Sequence, residues 1–309
     1  QRGVPGRRAI HHGGHLLSRP RGLPRQARRE PPGRREDVTK EREWLPFLND
    51  LANRADEIAL RWFGAPSLPV REKPDRTPVT AADEEIEEAI RSLVQARHPE
   101  LGVYGEERGI SPGAGVARLI LDPIDGTVNF ARRIPIFATL MAIEVGEEIV
   151  AGLVSAPALG SRWTAARGGG AYHGERRMRV SGVERLEEAT LFHGSLAESR
   201  AGREGEENAA PLNLLALARR CARSRGFGDF LQHVLVAQGS GEIAIDPSVR
   251  PYDLAPLLVI VEEAGGRATS LEGERSIYRG TMVCTNGRLH DETLAALRGL
   301  TGGAASLKE

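Results

Sequence analysis

Cysteine is scarce. The 309 residues hold two, Cys221 and Cys284, too few for a disulfide framework and without the close Cys/His neighbours of a structural zinc site. That scarcity suits a reducing compartment, and cytoplasm is the expected setting. Long apolar runs are missing too: none approaches the roughly 20 residues that cross a bilayer, and the N-terminal stretch lacks the apolar segment of a secretory signal. Neither a membrane partner nor a secreted protein is expected. Net charge is also absent, with 42 Lys/Arg against 42 Asp/Glu, but the balance is uneven: residues 1–40 carry 11 Lys/Arg against 3 Asp/Glu, leaving 31 against 39 for the rest. A basic arm attracts anions such as nucleic acid, and an acidic body attracts cations, whether metal ions or a cationic substrate.

What is there suffices for one large domain or two ordinary ones, since 40% of the residues are hydrophobic and 27% charged. Residues 1–38, rich in Arg, Gly and Pro and without apolar periodicity, are expected to be a disordered basic extension outside the folded body. The body divides near residue 188 into an N-terminal α+β half (39–188), expected to bind metal, and a C-terminal α/β half (189–309), expected to bind substrate. Trp44, Leu48, Leu51, Ala55, Ile58 and Trp62 recur at spacings of 3 and 4 and predict the opening helix. A second helical pattern runs through Ile86, Ala89, Ile90, Leu93 and Val94 and stops before Pro99. Strands are predicted at 119–121, 137–145 and 149–155, the last two joined as a hairpin by Gly146-Glu147-Glu148. The second half reads as strands at 190–194, 242–245, 267–269 and 281–285, with helices near 211–222, 230–236 and 253–263. No internal repeat occurs, which excludes a solenoid.

The most informative stretch is Leu119-Ile-Leu-Asp-Pro-Ile-Asp-Gly-Thr127, an apolar strand running into two acids three residues apart. Pro123 stiffens the turn between them. Asp122, Asp125 and a backbone carbonyl suit a hard divalent cation such as Mg²⁺, which takes oxygen ligands. Gly126 and Thr127, opening a helix, would offer N–H groups and a hydroxyl to a phosphate. An Asp-rich turn at a strand end needs no such purpose, however. Taken singly, Asp83 after Thr77-Pro-Val-Thr80 and Asp253 after Arg250-Pro-Tyr252 read as helix N-caps, and Glu106 in Gly105-Glu-Glu107 as a solvated loop acid.

Taken together, Thr77-Pro-Val-Thr-Ala-Ala-Asp83, Gly105-Glu-Glu107, Asp122-Pro-Ile-Asp-Gly-Thr127, Tyr252-Asp253 and Glu263-Ala-Gly-Gly266 resemble, in order and spacing over about residues 42–300, the inositol monophosphatase superfamily. Gly226-Phe-Gly-Asp229-Phe230, Val236-Ala237, Asp246-Pro247 and Thr285-Asn286-Gly287 look most like its histidinol-phosphate phosphatase branch. The resemblance implies an α/β (α+β) fold layered αβαβα, a homodimer, and Mg²⁺-dependent hydrolysis of a small phosphate monoester without a phosphoenzyme. It implies that Glu106, Asp122, Asp125, Asp253 and the Ile124 carbonyl hold two or three Mg²⁺ ions, with Asp122 bridging. Asp83 and Thr127, with Glu106, would form the catalytic set around the attacking water, and Gly126 and Thr127 would hold the phosphate. Asp246 and Asp229 would meet the substrate. Tyr252 departs from the Trp that most members carry before the metal-binding Asp, and both are aromatic.

L-histidinol phosphate, of histidine biosynthesis, is the expected substrate. Inositol 1-phosphate or another sugar or nucleotide phosphate is the alternative. Nucleic-acid binding through the basic arm is the rival outside enzymology, and retention of every expected carboxylate argues against it. His11, His12 and His15 lie in the arm. His233 reads as a core or subunit-contact residue and His290 as the start of the last helix. Gly168-Gly-Gly170 lacks the Lys-Ser/Thr of a P-loop and reads as a loop, and Gly265-Gly266 as a tight turn ending a helix.

Overall fold

The computed structural model describes residues 43–73, 78–196 and 210–298. The extension expected over residues 1–38 lies outside them. Helix α1 (Trp44–Phe63) buries Phe47, Leu48, Leu51, Ala52, Ala55, Ile58 and Ala59 along one stripe, as the 3–4 spacing requires. A short hairpin of β1 (Val70–Glu72) and β2 (Pro78–Thr80) leads into α2 (Ala81–Arg97). Thr80 has extended backbone and its hydroxyl accepts the Ala82 N–H at 3.2 Å, which starts that helix.

Next come β3 (Gly102–Gly105), β4 (Gly109–Ser111), β5 (Ala117–Asp125), a short helix α3 (Thr127–Ala131), β6 (Ala138–Val145), β7 (Glu148–Ala156), β8 (Ser161–Ala166), β9 (Gly170–His173) and β10 (Arg176–Arg177). They form an eight-stranded sheet of order β10-β9-β8-β7-β6-β5-β3-β4, antiparallel except for the parallel pair β3 and β5. The second half supplies β11 (Thr190–His193), α4 (Ala210–Ala218), β12 (Arg223–Gly226), α5 (Asp229–Ala237), β13 (Ile243–Asp246), α6 (Pro251–Glu263), β14 (Arg267–Thr269), β15 (Met282–Thr285) and α7 (His290–Arg298). Its sheet has the order β12-β11-β13-β15-β14, with β11 parallel to both neighbours.

Three cores separate five layers. One lies between α1/α2 and the large sheet, a second joins that sheet to α5/α6 and the small sheet, and the third lies between the small sheet and α4/α7. This is the expected αβαβα sandwich. Helix α6 forms the central layer with α5, and every residue of α6 from Leu254 to Val261 is buried, because it has a sheet on each side. It comes so close to β7 that a Cβ on Gly152 would stand 2.6 Å from Val259 Cγ1 and 2.9 Å from Pro256 Cα. No described helix is long and apolar enough to cross a membrane.

The predicted elements are present, with differences in extent. The helix predicted to run to 222 ends at Ala218, and Arg223–Gly226 is a strand. Strands β8 to β10 have no counterpart in the sequence reading. Gly168 (φ 68°) and Gly170 (φ 85°) form the β8–β9 turn in the left-handed region that glycine favours, in line with the loop reading. Gly265 (φ 92°) ends α6 in the same way.

Candidate active site

Strand β5 is buried from Leu119 to Asp125, and its pairing with β6 slips between Asp122 and Asp125. Asp122 faces Leu140 and Asp125 faces Ala138, so β5 carries one extra residue. That bulge holds the two acids at the strand's end. The Ile124 N–H donates to Asp122 Oδ1 at 3.0 Å, and Thr139 Oγ1 donates to the Pro123 carbonyl at 2.8 Å. Gly126 follows with φ 84°, and a Cβ there would stand 3.0 Å from the Ile136 carbonyl and 3.3 Å from Asp229 Oδ2. Glycine is needed at this turn. The helix Thr127 opens has five residues.

Asp253 comes from the first turn of α6, where its Oδ2 accepts the Arg250 N–H at 2.8 Å. One carboxylate oxygen from each of Asp122, Asp125 and Asp253 lies within 4.8 Å of the others. No ion pair among the described residues neutralises any of the three. Burial, then the charges of Glu106, Asp125 and Asp253, push Asp122 well above the usual carboxylate range. Burial, then Asp229 and Asp253, do the same to Asp125, and Asp253 is pushed up to about 7, chiefly by burial. Three carboxylates crowded with no counter-charge fit a hard divalent cation.

Glu106 stands beside this cluster rather than in it. Its N–H continues the β3–β5 ladder to the Leu121 carbonyl at 3.1 Å. Its carboxylate accepts from Lys73 Nζ at 2.6 Å, and Glu107 accepts from the same ammonium at 2.7 Å. Burial pushes Glu107 up to about 7. Glu87, wholly buried on α2, accepts the N–H groups of Glu107 at 2.8 Å and Arg108 at 3.1 Å, which pins the turn that carries Glu106.

Asp83 occupies the first turn of α2, its Oδ2 accepting the Thr80 N–H at 2.8 Å and its Oδ1 lying 3.4 Å from Thr127 Oγ1. Thr127 Oγ1 also donates to the Ile124 carbonyl at 3.0 Å. Burial pushes Asp83 up to about 6, against the pull of its Thr80 hydrogen bonds. Asp83 and Asp253 are thus not N-caps, as their sequence surroundings suggested: Thr80 and Arg250 hold those positions, and each acid accepts the N-cap residue's N–H from the third position of its helix, as in a capping box.

The acids expected to meet the substrate come from the second half, and Asp229 packs against the Asp125–Gly126 turn. Asp246 ends β13, and Asp229 opens α5 after parallel strand β12, at the carboxyl ends of parallel strands where α/β folds bind ligands. Asp229 has φ 50°, one of two described non-glycine residues in the left-handed region. Its Oδ2 accepts from Asn129 Nδ2 at 3.0 Å, and burial, then Asp246, push it up to about 6. Tyr252 packs edge-on to Tyr104 with centroids 6.0 Å apart. Both remaining histidines of interest are buried: His233 against Asp246, and His290, the first residue of α7, between the hydroxyls of Thr269 and Thr285.

The geometry is matched by kinship. The model of the inositol monophosphatase family matches residues 40–301. The chain belongs to that family. It is 44% identical over 252 residues to a histidinol-phosphatase of Mycobacterium tuberculosis, covering 80% of this chain and 95% of the relative. It is 41% identical over 262 residues to a histidinol-phosphatase of Streptomyces coelicolor, covering 82% and 96%. Among solved structures, the extragenic suppressor protein suhB of Bartonella henselae superposes with a TM-score of 0.75 at 29% identity, covering 81% of this chain and 96% of that one.

Lys73, Glu87 and Asn129 went unread in the sequence. Glu87 had a signal: it lies four residues after Asp83 in the stripe Ala82, Asp83, Ile86, Glu87, Ile90 that α2 buries, and an acid in a buried stripe needs a partner. Lys73 stands in turn-like sequence and Asn129 in a five-residue helix, and neither gives such a cue.

Proposed function

We propose that this protein hydrolyses L-histidinol phosphate to L-histidinol and phosphate, with Mg²⁺ as cofactor. The supporting observation is the meeting of Asp122, Asp125 and Asp253 without a counter-cation, beside the hydrogen-bonded Asp83 and Thr127. In this reading Asp122, Asp125, Asp253, Glu106 and the Ile124 carbonyl hold two or three ions, with Glu106 leaving Lys73 to do so. When bound, Mg²⁺ supplies charge that offsets the repulsion between a phosphate ester and hydroxide and stabilises the leaving alkoxide. Thr127 Oγ1 and Asp83 orient the attacking water and take up its proton, and the N–H groups of Gly126 and Thr127 hold the phosphate. The water oxygen bonds to phosphorus as its proton passes to the Asp83 carboxylate, the ester P–O bond breaks, and the leaving alkoxide takes a proton from solvent water.

The acidic pair Asp229 and Asp246 favours an ester whose alcohol is cationic, and the ammonium and imidazole of histidinol provide that. Division of labour follows the two halves only in part: residues 39–188 give most of the metal carboxylates, while 189–309 give both substrate acids and Asp253. Two further expectations, a homodimer from the family resemblance and a cytoplasmic setting from the scarcity of cysteine, are tested by sedimentation and cell fractionation. The deciding experiment is phosphate release from about ten monoesters, with and without Mg²⁺. Preference for histidinol phosphate supports the reading, and preference for inositol 1-phosphate or a sugar or nucleotide phosphate replaces the substrate while keeping the chemistry.

A further inference from the structure

One buried polar side chain near the site is used by neither the metal turn nor the water pair. His233 is fully buried on α5, and its Nε2 lies 2.6 Å from Asp246 Oδ2. Its Nδ1 is buried with no better hydrogen-bond partner among the described residues than the nearby thiol of Cys284, and Gln232 Nε2 lies 3.3 Å from Nε2, a longer contact than the one to Asp246. Packing alone does not call for an imidazole here. The surroundings are the central core, with Phe230, Val234, Val236 and Ala237 of the same helix buried beside it, and an aliphatic side chain would fill the place without stranding a ring nitrogen.

What the imidazole does supply is a donor at a fixed point. Nε2–H is present in both the cation and one neutral tautomer, so it can donate to Asp246 Oδ2 in either state. That leaves the other oxygen, Oδ1, on the side of Gly194, where a Cβ would stand 3.4 Å from it. Gly194 follows β11 and Asp246 ends the parallel neighbour β13, so Oδ1 is turned to the same carboxyl-end edge as Asp229. Helical register connects the two acids. Asp229 and His233 are four residues apart on α5 and share a face, and this single face holds one acid directly and steadies the other.

Resting on the proposed substrate, we propose that His233 is a positioning residue for specificity: it holds Asp246 so that the carboxylate faces the cationic part of a phosphate monoester carrying an amine or imidazole. A carboxylate held beforehand binds without losing rotamer freedom on each encounter. The effect belongs to recognition of the alcohol, not to the phosphate chemistry.

The test compares His233→Leu, His233→Gln and wild type on histidinol phosphate and on β-glycerophosphate, with Mg²⁺ at saturation. In His233→Leu, kcat/KM for histidinol phosphate is expected to fall about ten- to hundredfold, carried mainly by KM, and to fall at least about tenfold further than for β-glycerophosphate. His233→Gln, whose amide nitrogen can reach the place of Nε2, is expected to recover most of the loss and also keeps the test open if the leucine variant does not fold. Adding His233→Leu to Asp246→Asn should cost little more than Asp246→Asn alone. Equal losses on both esters, a loss carried by kcat alone, or additive losses in the double variant would overturn the proposal. Should wild type show no preference for histidinol phosphate, the substrate reading falls and the proposal with it. A preference that persists in His233→Leu removes the proposal alone.

Discussion

The backbone N–H of Phe230 donates to Asp125 Oδ2 at 2.6 Å. One residue of the proposed metal turn is thereby tied to the first turn of α5, which opens with Asp229, one of the two proposed substrate acids. Asp229, immediately before Phe230, takes the left-handed conformation at φ 50° and accepts from Asn129, which itself donates to the Ile136 carbonyl at 3.0 Å. The Asp125–Gly126 turn, the short helix α3 and the start of α5 are one hydrogen-bonded unit, and backbone strain at Asp229 accompanies it.

Replacing Asp229 separates its charge from its shape. Asp229→Asn keeps a residue that tolerates the left-handed region and an oxygen for Asn129, so thermal unfolding should shift little. Turnover of histidinol phosphate should fall by about 1–3 kcal/mol of transition-state binding. Asp229→Ala should also lose about 1–2 kcal/mol of stability in denaturant unfolding, because alanine resists positive φ and Asn129 loses its acceptor.

Gly105 ends β3, and a Cβ there would stand 2.3 Å from Glu87 Oε1. Gly105→Ala should displace the Glu87 carboxylate from the N–H groups of Glu107 and Arg108. The expected cost is about 1–3 kcal/mol of stability, with a higher Mg²⁺ concentration for half-maximal activity because the Glu106 turn loosens. A Mg²⁺ requirement equal to wild type would show that this turn is held by something other than Glu87.

Much of this fold is written in side-chain periodicity. The α1 stripe and the hydrophobic β6–β7 hairpin could be read because they bury one face or a whole strand, and α6 because both its sides do. Strand β12, Arg-Ser-Arg-Gly, could not: it is polar, mostly exposed and on the edge of its sheet, so its pairing with β11 leaves no alternation to read. The helix pattern before it overshot because Arg219 to Ala222 carry no breaker. At the site, Asp122, Asp125, Asp253, Asp83 and Thr127 were legible as motifs and meet in space. The contact of Lys73 with Glu106 and of His233 with Asp246 arise from tertiary placement, 33 and 13 residues apart in sequence, and no local pattern encodes them.

Thr127→Ala tests the water assignment. The hydroxyl bridges the Ile124 carbonyl and, at longer range, Asp83, and its role in the proposal matters most in the transition state. Steady-state kinetics should give a kcat about a hundredfold lower with KM nearly unchanged. A defect confined to KM would assign the hydroxyl to ground-state binding instead.

The last prediction joins metal, pH and stability. Asp83 and Asp229 are pushed up to about 6 and Asp253 to about 7, from a usual 3.8, with burial the leading cause in each. An acid whose folded pKa lies above its unfolded value binds more protons in the folded state between those two values, so unfolding free energy falls as pH rises through that window. Metal-free protein should therefore lose thermal stability from about pH 4 to about pH 7, by several degrees in Tm, and level off above it. Mg²⁺ should restore more stability at pH 7.5 than at pH 5, since binding at low pH must first displace protons. Asp122→Asn keeps an oxygen to accept the Ile124 N–H but removes one charge from the cluster. In metal-free buffer at pH 7.5 it should melt higher than wild type, whereas its hydrolysis with saturating Mg²⁺ should fall about a thousandfold or more. Scanning calorimetry of both proteins across pH, with and without Mg²⁺, checks each sign. A metal-free wild type that grows more stable from pH 5 to 7 would mean that these carboxylates are not held together without a counter-charge.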